Sequence, residues 1–181
     1  DNPYSFILND NPLSILSVDG AKDICIELNS MSKSHNMPGW RIGMLASNPQ
    51  FVAWVLRVKS NIDSGTFRSM QLAASKALML GEEWYEEINS IYRPRRVLAE
   101  EIATMLECKF DSAQRGMFLW AKVPDKYKNG AELADKILYE ARVFITPGMI
   151  FGSEGEKFIR ISLCATEEKL KEAKERIKSI L

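Results

Sequence analysis

Nothing in these 181 residues leans toward one charge: 24 lysines and arginines balance 24 aspartates and glutamates. A nucleic-acid binder carries a basic excess to meet phosphates, so that class is disfavoured at the outset. Long apolar runs are missing too. No stretch of eighteen apolar residues is present to span a bilayer, and the opening residues lead to the expectation that no secretory leader is present. Cysteine is scarce: Cys25, Cys108 and Cys164 are odd in number and far apart, and they outline no disulfide framework. They predict reduced thiols in a cytoplasmic protein, with Cys25 and Cys164, each in an apolar run, placed in the core. His35 is the only histidine. Internal repeats and low-complexity tracts are absent. The first residue is Asp1 rather than Met, which leads to the expectation of a processed product or a piece of a longer chain.

What is present fits a globular protein. Apolar residues make up 46% and charged residues 27% of a chain long enough for one sizeable domain or two small ones. "DICIEL", residues 23–28, alternates and is rich in isoleucine, which predicts a strand. The serine-rich stretch after it predicts a loop, and "RIGMLAS", 41–47, a second strand. Asn48-Pro49 predicts a helix start, with Phe51, Val52, Val55, Leu56 and Val58 as its apolar face. A loop at 61–67 and a helix from Arg68 to Leu80, closed by Gly81, come next. Trp84, Ile88, Ile91, Leu98, Ile102 and Met105 predict a long helix from Glu82 to about Glu107, interrupted by Pro94.

Strand signals then dominate. Residues 109–123 predict two strands around a turn at Ala113–Gly116. Residues 131–141 predict an amphipathic helix, "RVFITPG" a short strand, and "KFIRISLCA", 157–165, a strongly alternating one. Thr166 is placed to cap a last helix with Leu170, Ala173, Ile177 and Leu181 on one stripe. Strands mixed with helices throughout mean an α/β or α+β fold. The part before the long helix reads as a piece of a parallel α/β layer, and the part after it as a small mixed domain.

Chemistry concentrates in "NSMSKSHNMPGWRIGM", residues 29–44. A lysine between two strands lies where α/β folds keep their active sites. Its amine forms Schiff bases with carbonyl compounds, pyridoxal phosphate among them. Ser30 and Ser32 offer hydroxyls to a phosphate, Arg41 offers a planar fork of donors, and Gly39 and Gly43 let backbone approach closely. By composition alone this is an ordinary solvated loop. The spacing is more specific: Ser30-Met31-Ser32-Lys33, then Arg41 and Gly43, resembles the cofactor-lysine signature of the class I and II pyridoxal-phosphate (PLP) aminotransferases, the aspartate aminotransferase-like enzymes of fold type I. The resemblance implies Lys33 as the residue joined to the cofactor through a Schiff base, with Ser30 and Arg41 as phosphate ligands and Ser32 at a small-residue position beside them.

Two further matches stand in the expected order. The family carries an Asp followed three residues later by a Tyr, well before the lysine, and this chain opens "DNPY". The resemblance gives Asp1 to the pyridine nitrogen, keeping the ring an electron sink, and Tyr4 to the ring's phenolic oxygen. Near the end, "TPGMIFGSEGEKFIRIS" resembles the family's "TPG…FG…G…RIS" strand. That implies Arg160 as the residue pairing with an amino acid's α-carboxylate, with Ile159 and Ile161 facing the other way.

The implied fold is α/β: the C-terminal part of a large PLP-binding domain over residues 1–81, then a small C-terminal α/β (α+β) domain over 82–181. The groups that the family's first half supplies cannot be placed, so the chain resembles a C-terminal half that is not expected to be competent alone. The implied function is a transaminase moving an amino group between an amino acid and a 2-oxo acid, cytoplasmic and homodimeric, with no metal, nucleic acid or membrane partner. Other readings share the scaffold: a PLP-dependent C–S lyase or a related decarboxylating or synthase PLP enzyme on the same fold, or a non-catalytic PLP-sensing domain of a transcription regulator. His35 is weighed as an acid–base group and set below Lys33, which moves the proton itself. Ser64, Gly65, Thr66 and Phe67 form a loop that the resemblance extends toward a partner subunit's cofactor. Trp40 is assigned to packing. The basic cluster "RPRR", 93–96, is assigned to a solvated helix face.

Overall fold

Side-chain caps set many of the element boundaries in the computed structural model, which describes residues 3–181. The chain divides into two units, the first ending at Glu87 and the second running Ile88–Leu181.

In the first unit, a turn over residues 3–6 leads to a short 3-10 helix, Ile15–Ser17. The Glu27 carboxylate fastens this segment by accepting from the Ser14 hydroxyl at 2.6 Å and the Ile15 amide at 2.9 Å. The elements that follow are α1 (Ala21–Ile24), β1 (Glu27–Ser30), α2 (Met31–Ser34), β2 (Gly43–Ala46), α3 (Pro49–Ile62) and α4 (Arg68–Ala77). Then α5, Glu82–Met105, runs through Pro94 and across the boundary between the units. Met31, Met37 and Ala74 form a buried cluster, with Ile42, Ala73 and Ala77 packed on it.

Several expectations are corrected here. The strand predicted at 23–28 begins only at Glu27, because Gly20 turns the chain at φ 76° into one helical turn closed by Cys25 N–H on the Ala21 carbonyl. The predicted serine-rich loop contains α2, since the Ser30 hydroxyl accepts from Ser32 N–H and starts a turn. In place of a parallel layer, β1 and β2 pair antiparallel, Glu27 opposite Ala46 and Ser30 opposite Gly43. The twelve residues between them hold only the single turn of α2 and a 3-10 turn, and they bring the chain back in the opposite direction rather than over the sheet as a crossover helix would. Helix α4 stops at Ala77, where 3-10-type bonds tighten the last turn before Gly81 is reached. The apolar stripe of α3 falls where the periodicity puts it, yet no residue of α3 is buried, and Trp54, Leu56, Val58 and Ile62 are all exposed.

The second unit begins within α5, whose Leu98, Ala99, Ile102 and Ala103 are buried. It continues with β3 (Phe118–Lys122), α6 (Gly130–Lys136) extended by a π-helical turn at Ile137–Ala141, β4 (Thr146–Pro147), two 3-10 turns at Gly148–Phe151 and Ser153–Gly155, β5 (Phe158–Ser162) and α7 (Glu167–Lys178). The sheet order is β3-β5-β4, antiparallel throughout. Ile159 and Ile161 are buried as the alternation requires, and Thr166 caps α7 through Lys169 N–H.

The hairpin predicted at 109–123 has a single strand, with Lys109 only bridged to Lys122. The Gln114 side chain takes the place of a strand partner: its amide nitrogen donates to the Trp120 carbonyl at 2.7 Å and its oxygen accepts Trp120 N–H at 2.8 Å. The "RPRR" cluster is not simply a solvated face. Arg96 is buried and paired to Glu100 at 2.6 Å, and Arg95 donates to the Leu163 carbonyl. The buried cysteine is Cys108, whose thiol burial pushes up to about 12, whereas Cys25 is half-buried and Cys164 exposed just past the end of β5.

Gly148 sits where backbone and ring close in. A Cβ there would lie 2.7 Å from Trp120 Cη2 and 2.8 Å from the Phe158 carbonyl oxygen, and would collide with the Gly155 carbonyl. Gly148→Ala is therefore expected to destabilise the second unit by about 2 kcal/mol, the scale of overpacking a tight site. A lower urea midpoint at unchanged slope is the outcome that checks it.

Candidate functional site

The turn that carries Lys33 is fixed from both ends. Ser30 closes β1 and caps α2 through Ser32 N–H at 3.2 Å. Met31 N–H donates to the Ile42 carbonyl at 3.3 Å, and the Met31 side chain is buried in the methionine cluster. At the other end, His35 N–H returns to the Met31 carbonyl at 3.2 Å, and Asn36 reverses the chain at φ 52°. Lys33 is half-buried on this turn. Among the described residues, no hydrogen bond or ion pair holds its ammonium.

Beside the turn lies an open depression of about 490 Å³, walled in part by Asn29, Ser30, Ser32, Arg41, Gly43 and Lys59. Gly43 lets the strands close on it, because a Cβ there would stand 2.7 Å from the Asn29 carbonyl oxygen. Arg41 holds a left-handed backbone at φ 51°, with one guanidinium nitrogen on the Pro38 carbonyl at 3.0 Å. Lys59 reaches the depression while bonded to both Asp63 oxygens at 2.8 Å.

Two hydroxyls and two cations around one concavity are a donor set suited to a phosphate. The structure thus brings Ser30, Ser32 and Arg41 together and sets Lys33 on the same turn, outside the walls of the depression. Tyr4 is half-buried in the turn over residues 3–6, its carbonyl accepting from Ile7 N–H, and it is not part of these walls. The Asp1 assignment lies outside the described residues.

Arg160 belongs to the second unit, on the face of β5 opposite Ile159 and Ile161. Its guanidinium is sandwiched between the Phe118 ring at 4.1 Å and the Phe151 ring at 4.2 Å. Phe151 in turn meets Trp120 edge-on at 5.8 Å, and Trp120 stacks on Phe158 at 5.2 Å. Arg160 Nε is buried with no hydrogen-bond partner among the described residues. The rings hold the cation by its faces and leave its edge donors unclaimed.

Some participants were missed or misjudged in the sequence. His35 is buried, with its Nδ1 2.8 Å from the Ser34 hydroxyl and its Nε2 3.2 Å from the Tyr85 hydroxyl. No local spacing joins residue 35 to residue 85. Phe118 and Phe151 could have been found only in part. Phe118 lies two residues before Trp120 on a strand and so on the same face, but Phe151 arrives on a separate turn. Lys59 carried no signal beyond its helix. Trp40, assigned to packing, is exposed, and residues 63–67 do form a loop.

Comparison with known proteins bears on this geometry. The family model described as aminotransferase class I and II matches residues 4–177. An LL-diaminopimelate aminotransferase of Aquifex aeolicus is 43% identical over 99% of this chain and 47% of its own length. One of Nitratidesulfovibrio vulgaris is 42% identical over 95% of this chain and 44% of its own. Among solved structures, an aminotransferase from Staphylococcus aureus superposes with TM-score 0.87 at 29% identity, over 99% of this chain and 48% of that one. An aromatic aminotransferase from Pyrococcus horikoshii gives TM-score 0.87 at 30% identity, over 98% and 48%. The chain thus spans about half the length of the curated relatives it matches.

The aromatic sandwich is open to direct measurement. A double-mutant cycle of Phe151→Ala with Arg160→Met, read by urea unfolding, is expected to give a coupling energy of about 1 kcal/mol. A coupling indistinguishable from zero would mean that the ring does not hold the guanidinium.

Proposed function

The chain belongs to the class I and II aminotransferases, and from that premise we propose that it carries the lysine, phosphate-binding and carboxylate-binding groups of a PLP-dependent enzyme moving an amino group between an amino acid and a 2-oxo acid. The observation that carries this reading is the Lys33 amine: half-buried, without an ion-pair or hydrogen-bond partner among the described residues, and one residue from the wall of a depression lined by Ser30, Ser32 and Arg41. A lysine already tied to a carboxylate would have to break that pair before reacting, and among the described residues Lys33 has none to break.

Bound here, pyridoxal phosphate supplies an electron sink for charge developing at the substrate's α-carbon. Lys33 Nζ is assigned the covalent attachment and, once released from it, the movement of a proton to and from that carbon. The Ser30 and Ser32 hydroxyls and the Arg41 fork are assigned the phosphate, with charge-assisted hydrogen bonds as the main source of affinity. Arg160 orients the substrate by its α-carboxylate, for which the unclaimed guanidinium edge between Phe118 and Phe151 is the supporting feature. Asp1 is assigned to the ring nitrogen and Tyr4 to the phenolic oxygen on the resemblance alone.

Residues 1–81 are assigned to the large cofactor-binding domain and 82–181 to the small one. The name shared by the curated relatives supports LL-diaminopimelate as the amino donor. A homodimer is the proposed assembly and the cytoplasm the proposed compartment. The uncovered apolar stripe of α3 supports further protein packing on the first unit. Among the described residues, no helix is long and apolar enough to cross a membrane. Because the chain spans about half the length of its relatives, its residues are assigned a share of the site, and turnover by the 181 residues alone is expected to fall far short of a chain supplying the remaining length.

The test is covalent. The chain is mixed with pyridoxal phosphate, reduced with borohydride and mapped by peptide mass. The label is expected on Lys33, to vanish from that peptide in Lys33→Ala, and to need about tenfold more cofactor in Arg41→Ala, the scale of a charge-assisted hydrogen bond. Label scattered over surface lysines, with the same pattern in Lys33→Ala, would overturn the reading.

A further inference from the structure

His35 stands two residues after Lys33, and its surroundings tie the lysine's turn to the start of α5. Its ring nitrogens lie 2.8 Å from the Ser34 hydroxyl and 3.2 Å from the Tyr85 hydroxyl. Tyr85 is in the first turn of α5, where its ring stacks on Phe6 at 4.7 Å and meets the imidazole edge-on at 5.8 Å. From the same turn, the Trp84 indole donates to the Ser34 carbonyl at 3.0 Å. The two residues that follow Lys33 are therefore both fastened to α5. On its other side, Met31 is locked in the methionine cluster. Lys33 lies between two anchors, and one of them contains the only titratable ring of its type in the chain.

We propose that His35 is a positioning residue for Lys33: the neutral imidazole, bridging the Ser34 hydroxyl and the Tyr85 phenol, locks the single turn that carries the lysine, and a proton added to the ring unlocks it. The functional meaning of this lock rests on the reading of Lys33 as the cofactor lysine.

The hydrogen count favours the neutral ring. A neutral imidazole donates at one nitrogen and accepts at the other. The Ser34 hydroxyl lies 3.3 Å from the Ser30 carbonyl, so it can donate there while accepting from Nδ1–H. Nε2 then accepts from the Tyr85 O–H, and every hydrogen has a place. An imidazolium donates at both nitrogens. The Tyr85 O–H must then turn away from the ring, and a charge is left in a buried site.

Among the described residues, the groups around the ring do not offset that charge. From α5 it is faced by the Tyr85 phenol, itself held neutral by burial, while the uncharged Trp84 holds the Ser34 carbonyl beside it. From the N-terminal turn comes Phe6. On its own element the neighbours are Ser34 and Lys33, and the lysine is of like sign.

Burial holds the His35 pKa below its ordinary value of 6.5. The opened turn thus takes up a proton more readily than the closed one. Closure is at full strength above about pH 6.5 and weakens as pH falls below it toward the depressed value.

The first measurement needs no cofactor. In the full chain, the lone histidine ring gives one NMR titration curve, while hydrogen exchange follows the protection of the His35 and Met37 amides between about pH 5 and about pH 8. Protection is expected to fall about tenfold along that curve, the scale of one buried hydrogen bond left unmade. It is expected to be level with pH in His35→Gln, whose amide stays neutral. Tyr85→Phe keeps the ring stack and is expected to lower protection above the His35 titration, with little further loss below it, where the bond is already unmade.

The second measurement is the share of pyridoxal-phosphate label on Lys33. It is expected to fall along the same curve in the native chain but not in His35→Gln. Protection that stays level through the His35 titration, or a pH step that survives in His35→Gln, would overturn the proposal. Protection that follows His35 while Lys33 takes no label at any pH would sustain the lock and defeat the cofactor reading instead.

Discussion

The antiparallel register that sets Ser30 opposite Gly43 is the constraint on which the candidate site depends. It forces the twelve residues from Met31 to Ile42 to leave one strand and return in the next within a short loop. Ser30 ends its strand and caps the lysine turn, while Arg41 stands just before the strand that returns. The chain therefore delivers a hydroxyl pair and a guanidinium to one depression through the pairing of two successive strands. The close approach is possible only because position 43 has no side chain: a Cβ would press on the Asn29 carbonyl at 2.7 Å. A register slip of one residue would turn Ser30 and its neighbours to the opposite face and scatter the set.

How much of this was legible follows from where the information lies. The Lys33, Ser30, Ser32 and Arg41 group is contiguous, so its spacing could be read directly, and the alternation of "KFIRIS" correctly put Ile159 and Ile161 inward with Arg160 opposite. Caps were legible for the same reason, as Asn48 and Thr166 show. What failed was non-local or competitive. Gln114 pairs with Trp120 as if it were a strand, which no alternation pattern announces. Cys164 looked like core from its apolar neighbours, but β5 ends at Ser162 and leaves it in a turn. His35 could be singled out but not placed, because its partners Tyr85 and Phe6 are far from it in sequence.

Periodicity also says which face of a helix is apolar without saying what covers it. The α3 stripe was placed correctly, yet Trp54 and Val58 remain exposed, and Leu28 and Met44 on the β1–β2 pair are uncovered as well. A two-stranded ribbon is marginal by itself in water. Here it is fastened instead by side-chain bonds to the neighbouring backbone. Ser47 donates to the Cys25 carbonyl at 2.6 Å, Asn48 to the Lys22 carbonyl at 3.1 Å, and Glu27 draws in the segment before it. Polar clamps of this kind hold a loop in register while leaving its apolar faces available.

Two arginines show why a ligand-seeking cation is better held by rings than by a carboxylate. Arg96 is buried on α5 with its Nε 2.6 Å from Glu100, so its charge is compensated, although its Nη1 and Nη2 are buried with no hydrogen-bond partner among the described residues. Among the described residues, Arg160 has no such carboxylate partner. Phe118 and Phe151 cover both faces of its guanidinium at 4.1 and 4.2 Å, which favours the cation while leaving its in-plane donors unspent. A carboxylate approaches in that plane, through parallel hydrogen bonds. Both arginines keep open donors, and the difference between them is the counter-charge: Glu100 supplies one at Arg96, and among the described residues only aromatic rings face Arg160. The pair of glycines at 148 and 155 bears on the same point, since a side chain at either would press on the Trp120 ring that meets Phe151 edge-on.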